Sequence, residues 1–475
     1  MPISETIIPV PNRPLTKYQE KAESGSATPV RPHYPLIDYF SDERVVAIAD
    51  GRLVTAGEFL REALNLAANL PDQSYMINLC EDRYRFLTAF AAALLKGQIN
   101  LLPPSRAPRV LQQLAEQYSQ LYCLTDGPEA PEGFDRIVRY DCDRHPVTLL
   151  KANLPEIPGD RVAAIAFTSG STGQPQPHVK TWRTFCESAK LIGAGLGLKP
   201  EQSATVIATV PPQHMYGIET SILLPLCLDG VALYSGKPFF PADIRTALEL
   251  CPKPRILVTT PVHIRALIQA GENLPEIEFI VSATAPLSQD WAAKAEDLFR
   301  TRVLEIYGCT EAGSIASRRT SHGDLWHAFD GVHFQEKAGG SWVDAEHLPG
   351  PIMLNDLIEC CGSRQFKLLG RSADLVNIAG KRTSLGALNH VLNEIEGVRD
   401  GVFFLPSGPE GTVRLTAFAV APGKTKEQLL AELQTRLDPV FLPRPLYLLD
   451  TLPRSETGKL PRQVLTELAE QLSMT

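Results

Sequence analysis

Short β-branched runs that alternate with helical patterns constrain this chain more than any other feature. "YMINLC" at 75–80 leads through an apolar stretch around Phe86 to Lys96 into "INLLPP" at 99–104, a strand, helix, strand unit. The rhythm returns in "TVIATVPP", "VALYS", "RILVTTP", "EFIVSA" and "VLEIYG", with "DIRTALEL", "HIRALIQA" and "DWAAKAEDLF" between several of them. Strands joined through helices run parallel, since a tight hairpin returns the chain antiparallel. Two parallel sheets covered by helices are therefore expected. Ligands collect at the carboxyl ends of such strands. "VPPQHMYG", "SATAPL" and "YGCTEAG" all fall there, so three loops are expected to share one crevice.

The ends of the chain read differently. Residues 1 to about 40 are polar and proline-rich, an expected irregular lead that wraps the body, with regular structure starting after it. "TAGEFLREALNLAANL" then opens with Thr55 and carries Glu58 three residues on, a capping box before an amphipathic helix. After Gly370 the pattern becomes short strands, a helix of the form "SLGALNHVLNEI" and a strand pair around "GVFFLP" and "RLTAFAV". The expected division is 1–370 for an N-terminal domain and 371–475 for a small α+β domain. Of the net charge of -8, none comes from 371–475, which holds 12 basic and 12 acidic residues.

A negative chain of ordinary composition, 44% hydrophobic and 21% charged, is no general partner for nucleic acid or an anionic membrane. The start, "MPISETIIPVPNRP", has neither a basic head nor an apolar core, so no signal peptide and a cytoplasmic location are expected. "FLTAFAAALL" at 86–95 is half the length of a membrane span and reads as a buried helix. Nine scattered cysteines without CxxC spacing suit reduced thiols. The adjacent Cys360 and Cys361 are expected in the core or a sheet.

One loop carries the chemistry. In "AFTSGSTGQPQPHVKTW" at 166–182, an apolar strand ends in Thr168, Ser169, Gly170, Ser171, Thr172 and Gly173. Unpaired backbone N–H groups and hydroxyls in such a loop can wrap a phosphate. A flexible linker has a similar composition, but this loop is short and hangs directly from a strand. It is not a Walker loop, because no Gly-Lys-Ser/Thr closes it.

Four stretches in fixed order make the loop specific: "FTSGSTGQPQP" at 167, "YGCTEAG" at 307, "LLGRSADLVNIAGKR" at 368 and "LPRSETGKLPR" at 452. Together they resemble the adenylate-forming superfamily of acyl-CoA synthetases, peptide-synthetase adenylation domains and luciferase. The resemblance runs from about residue 45 to 470. It implies an α/β fold: a large N-terminal domain of parallel α/β sheets plus a β-barrel-like part, and a small mobile α+β C-terminal domain. It also implies an acid–thiol ligase that uses ATP and Mg2+ to make an acyl-adenylate, then passes the acyl group to a phosphopantetheine thiol.

The resemblance assigns roles residue by residue. Thr168, Ser169, Gly170, Ser171, Thr172 and Gly173 form the loop over the β- and γ-phosphates, and Tyr307, Gly308 and Thr310 belong to the nucleotide site. Glu311 matches the magnesium-linked glutamate, Asp356 the aspartate on the ribose hydroxyls and Arg371 the arginine after it. Lys459 matches the mobile lysine that reaches the α-phosphate during adenylation. His214 matches the histidine at the gate between the acid and the thioester tunnel. Met215, Tyr216, Gly217, Ser282, Ala283, Thr284 and Cys309 are expected to line the acid pocket. These small, partly polar walls suit a flat hydroxylated ring, and no aspartate stands where an ammonium would be held.

Three departures stand out. Gln176 and Pro177 replace the usual lysine and glycine of the phosphate loop, so Lys180 either substitutes through its long stem or the cation is not needed. Ala373 stands at the hinge where relatives carry aspartate, and Asn377 where they often carry lysine. The segment 311–356 is compressed. The "STGQPQPHxK" spelling is similar to small ligases of aryl-polyene and xanthomonadin-type pigment clusters, which load a hydroxybenzoate- or hydroxycinnamate-like acid onto an acyl carrier protein. Acyl carrier protein is the expected partner of a monomer or homodimer, with free CoA as the alternative acceptor. A ligase-like sensor that binds nucleotide without turnover, or an adenylate-only enzyme, is the remaining reading.

Overall fold

A computed structural model describes residues 32–473 apart from 129–133, 135, 141–153, 170–174, 200–201, 338–339, 372–374, 379–380, 407–413 and 455–459. The expected helix after Thr55 spans Ala56–Asn69, and its capping box is formed: Thr55 accepts from the Glu58 N–H and the Glu58 side chain accepts from the Thr55 N–H. This helix buries one face, through Phe59, Leu60, Ala63 and Leu66. The helix Arg83–Lys96 is instead buried nearly all round. Asp82 caps its start, and Gly97, at φ 80°, ends it in the left-handed conformation that only glycine adopts freely.

Two large sheets follow. The first has six strands in the order Pro175–Thr181, Val162–Ser169, Ile99–Leu102, Tyr75–Asn78, Leu121–Thr125, Ile137–Arg139. All neighbours are parallel except the hairpin of the first two. The second has eleven strands. Its centre, Arg302–Cys309, Phe279–Ser282, Arg255–Thr259, Ala204–Ala208, Val231–Tyr234 and Val45–Ala49, is parallel. Successive side chains of a strand point to opposite faces, and both faces here are apolar. Val206, Ile256, Val258 and Val281 join the core shared with the first sheet. Ile207, Leu257 and Ile280 face the helices Pro241–Leu250, Pro261–Ala270 and Gln289–Phe299 in a second core. A sheet buried on both sides is what continuous β-branched runs require.

Beyond Arg302–Cys309 the second sheet turns antiparallel through Gly313–Arg319, Leu325–Ala328, Gln365–Arg371 and the edge strand Asp356–Cys360. A separate antiparallel sheet, Val332–Lys337, Gly340–Ala345 and Ile352–Met353, occupies the second half of the 311–356 segment. After residue 375 come a hairpin, the helix Leu385–Asn393, the three-stranded sheet Asp400–Phe404, Thr416–Val420 and Leu446–Leu448, and the helices Lys426–Arg436 and Arg462–Ser473. This part has cores of its own: Phe403, Ala417 and Ala419 pack on one face, and Val402, Phe404 and Phe418 pack with Leu465 on the other. By contact density His33–Thr475 form one compact unit.

Two expectations need correction. Regular structure begins before residue 40: His33–Pro35 pairs antiparallel with Glu156–Pro158, and Tyr34, Leu36 and Ile37 are buried. Apolar side chains in "HYPLI" find the main core, which composition averaged over the lead concealed. Residues 1–31 lie outside the described residues. Cys360 and Cys361 are both exposed. Cys360 does end a strand, as one half of that expectation had it, but that strand is the sheet edge, and Cys361 follows in the loop beyond it. No disulfide joins the described cysteines, all of which are free thiols. Among the described residues no helix is long and apolar enough to cross a membrane.

Candidate active site

The phosphate-loop hairpin sets the geometry of the crevice. In its register Gln176 faces Thr168, His178 faces Ala166 and Lys180 faces Ala164. Period-two alternation puts 176, 178 and 180 on one face, and exposure falls along it from Gln176 to buried Lys180. Thr168 Oγ1 lies 3.1 Å from His178 Nε2. The same nitrogen lies 3.9 Å from Glu311 Oε1, at the turn beyond the strand Arg302–Cys309. Burial holds the His178 imidazole below its ordinary range, opposed by Glu311 and reinforced by Lys180. Residues 170–174, holding Gly170, Ser171, Thr172 and Gly173, lie outside the described residues, as does the side chain of Ser169.

Lys180 points inward. It is 2% exposed, and its ammonium donates to the Glu311 carbonyl at 2.7 Å. Burial pulls its pKa down, and the nearby negative charge of Glu219, with that of Glu311, pulls it back. Glu219, not anticipated from sequence, is a buried carboxylate that accepts from Ser188 Oγ at 2.8 Å, Ser314 Oγ at 2.6 Å and the Ser314 N–H at 3.1 Å. Burial raises its pKa, and the Ser314 and Ser188 bonds and the charge of Lys180 act against that rise. The one available signal was a single acidic letter inside the apolar run "GIETSILLPL".

At the other side Tyr307 donates its hydroxyl to Asp356 Oδ2 at 2.9 Å, across 49 residues of sequence. Its ring packs at 5.7 Å from both Trp326 and Phe366. The two strands involved stand four strand spacings apart in the sheet order, roughly 19 Å if the sheet were flat. Side-chain contact between them means that the antiparallel end is strongly rolled. Asp356 is paired in backbone register with Arg371, whose side chain lies outside the described residues. Gly308 approaches the backbone of Gly313 too closely for any Cβ. Thr310 sits half-buried in the turn before Glu311.

The third wall comes from the loop after Ala204–Ala208. His214 is half-buried and stands at the N-cap position of the short helix Met215–Ile218, with no side-chain capping bond. A Cβ at Gly217 would run into the Pro211 carbonyl oxygen, so the turn admits only glycine. Tyr216 is a strut: its hydroxyl donates to Val281 O at 2.8 Å and Thr259 O at 3.2 Å, across the ends of two neighbouring strands. Met215 packs half-buried against the main core. Ser282 is fully buried, Ala283 is 8% exposed, and Thr284 takes a left-handed φ of 78°. The hydroxyls of Ser282 and Thr284 have no protein partner among the described residues. Cys309 accepts weakly from the Ala312 N–H, and burial with Glu311 pushes its thiol up to about 12, so it stays neutral.

Arg83, also missed in the sequence, underlies this wall. It is fully buried and donates to Ser221 Oγ at 2.6 Å, Val210 O at 2.7 Å and Ala208 O at 3.0 Å. It thereby joins the first sheet's helix to the strand end that carries His214. The structure thus links Thr168 and Glu311 through His178, joins Lys180 to the Glu311 turn, pairs Tyr307 with Asp356, and ties Tyr216 to the strand ends beside Ser282. Lys459 and Ala373 fall outside the described residues.

Parallel sheets with strand-end loops and a rolled antiparallel end define an adenylate-forming architecture. The chain belongs to the AMP-binding enzyme family, which it matches over residues 41–331. It is 30% identical over 280 residues to a 4-coumarate–CoA ligase of Rhodobacter capsulatus, covering 58% of this chain and 67% of that protein. A 2-succinylbenzoate–CoA ligase of Listeria monocytogenes is 25% identical over 340 residues, covering 65% of this chain and 70% of that protein. The fold is shared with ATP-bound MatB from Rhodopseudomonas palustris, with a TM-score of 0.76 at 18% identity over 91% of this chain and 96% of that one. Both of these curated relatives are acid–thiol ligases.

Proposed function

We propose that this protein activates an aryl carboxylic acid with ATP and delivers the acyl group to a phosphopantetheine thiol. The observation that carries the reading is the pair of polar groups at the end of the strand Arg302–Cys309: Thr168, His178 and Glu311 in one, Tyr307 and Asp356 in the other. A carboxylate oxygen of the acid attacks the α-phosphorus, the bond to the β-phosphate breaks, and acyl-AMP and pyrophosphate form. The thiol sulfur then attacks the acyl carbon, and AMP leaves as the thioester forms.

Asp356 would accept the ribose hydroxyls, with its carboxylate plane fixed by Tyr307. Thr168 and the loop beyond it would take the terminal phosphates. Among the described residues no three His, Cys, Asp or Glu side chains are grouped to hold a metal. Magnesium commonly uses one or two carboxylates plus its substrate's phosphates, and the 26% exposed carboxylate of Glu311 fits that donor set. When bound, the ion neutralises phosphate charge. Lys459 would approach the α-phosphate on the segment beyond Ala373, with 371–475 acting as a mobile lid, and His214 would gate the thiol's path.

A hydroxylated aromatic acid is the substrate class we infer. The unpartnered hydroxyls of Ser282 and Thr284 offer hydrogen bonds, Gly217, Ala283 and Cys309 keep the walls small, and the relatives include 4-coumarate ligases. Acyl carrier protein is our preferred acceptor. Lys381 is paired with Asp438, whereas Arg399 and Arg444 are exposed, and together with Arg382 they would meet an acidic carrier helix. The test is pyrophosphate release from MgATP across hydroxybenzoates, hydroxycinnamates and C6 to C16 fatty acids, with Lys459→Ala as control. One hydroxylated aromatic acid should give a strong signal that the variant lacks; silence across the panel would remove the reading. Loading of holo carrier protein against free CoA then decides the acceptor, and undiminished carrier loading after charge reversal at Arg382 and Arg444 would remove the charge argument.

A further inference from the structure

We propose that Lys180 and Glu219 form a buried clamp that positions Glu311, one member gripping each end of the turn that carries it. The inference rests on the nucleotide-binding reading and adds two positioning residues to it. Neither touches a substrate in this assignment; both act through the backbone of the turn.

The grip is direct at both ends. Lys180 donates to the Glu311 carbonyl at 2.7 Å. Three residues on, the Ser314 N–H and hydroxyl both donate to Glu219 Oε2, at 3.1 and 2.6 Å. Between them Gly313 sits at φ 75°, and a Cβ there would lie 2.5 Å from Glu219 Oε1. Glycine is therefore required twice, for its dihedral and for the carboxylate's approach. Ser188, on the helix that follows Lys180's strand, holds the other carboxylate oxygen. Glu219 opens a π-helical segment, Glu219–Leu223, that continues directly from Met215–Ile218. Such wide turns recur at functional sites, and this one runs from the acid-pocket wall to the base of the Glu311 turn.

A buried ammonium and a buried carboxylate are each unfavourable alone, and apolar residues of equal size would pack as well. What apolar residues cannot supply is a donor for Glu311 O and an acceptor for Ser314 N–H. The pair thus fixes where the Glu311 carboxylate stands relative to His178 and Thr168, so that it meets the nucleotide's metal without rearranging. Lys180 accordingly works beneath the turn, a different task from lending a cation to the phosphate loop.

The experiment uses the full chain with ATP alone as the probe, in magnesium and again in EDTA, with affinity read by calorimetry. Lys180→Met/Glu219→Gln removes both charges together and keeps side-chain volume. It should melt near wild type yet lose about tenfold of the affinity that magnesium adds, the scale of one charge-assisted hydrogen bond, with affinity in EDTA unchanged. A merely structural pair would leave that magnesium gain intact, and an intact gain overturns the proposal. Should the double variant not fold, Gly313→Ala disturbs the same turn with both charges kept. The same selective loss is expected there, and an unaltered magnesium gain is equally fatal. Wild type failing to bind MgATP would be a different result, sinking the nucleotide reading and the clamp's purpose with it.

Discussion

Replacing Tyr307 by Phe removes one hydroxyl and little else, which makes it the sharpest probe of the nucleotide side. The ring's contacts with Trp326 and Phe366, at 5.7 Å each, survive in the variant. What is lost is the 2.9 Å bond to Asp356 Oδ2. A hydrogen bond to a charged group contributes about 1.5–3 kcal/mol. Asp356 is half-buried, so water repairs part of the loss and the lower figure applies. If Asp356 reads the ribose, about 1.5 kcal/mol appears as roughly tenfold weaker ATP affinity. Melting should fall by about 2 °C or less in a chain this long. The discriminating assay compares ATP with 2′-deoxy-ATP and 3′-deoxy-ATP. Wild type should prefer ATP, and the variant should lose part of that preference because its carboxylate has one fixed donor fewer. Equal preference ratios in the two proteins would refute the assignment of Asp356 to the sugar.

Further outcomes follow from the same geometry. Gly217→Ala forces a methyl against the Pro211 carbonyl oxygen and should destabilise by about 1–3 kcal/mol or shift the turn; acid-dependent pyrophosphate release should fall while ATP affinity holds, and an unchanged acid KM would contradict the pocket assignment. His263 and His347 are both lowered to about 4, by burial first. Each stays neutral in the fold while the unfolded chain takes a proton near 6.5, so their contribution is full above that value and is lost as pH falls toward 4, by up to about 3 kcal/mol each. Denaturant midpoints should drop across that window, less steeply in His263→Gln; a parallel profile would exclude His263 as a source. A thiol reagent applied to the native protein should label Cys360 and Cys361 and spare Cys80, Cys123, Cys186, Cys227 and Cys251, as peptide mass mapping would show.

The legible part of the fold was the part written in repeated local pattern. β-Branched runs ended where strands end, and Thr55 with Glu58 announced a cap that forms. Motif order brought the family into view. Other features needed the third dimension. Tyr307 and Asp356 each belonged to a motif, but their contact depends on a sheet rolling through four strand spacings. Glu219 and Arg83 are single charged letters that look like solvated helix faces until the surroundings close over them. Lys180 faces inward by simple alternation, yet its partner lies 131 residues away. Of the cysteine pair, Cys360 does lie in a sheet as expected, but burial did not follow because its strand is the edge, and Cys361 lies beyond it.

Arg83 has a consequence for how the chain could be divided. Its guanidinium crosses from one sheet to carbonyl oxygens of the other, inside an apolar face that includes Phe86 and Phe90. Cut away from the second sheet, the first would present a cation stripped of its acceptors at the head of its own hydrophobic helix. The six-stranded sheet is therefore expected not to fold alone: a fragment of residues 75–181, which the second sheet's strands flank on both sides in sequence, should stay disordered or insoluble when produced by itself.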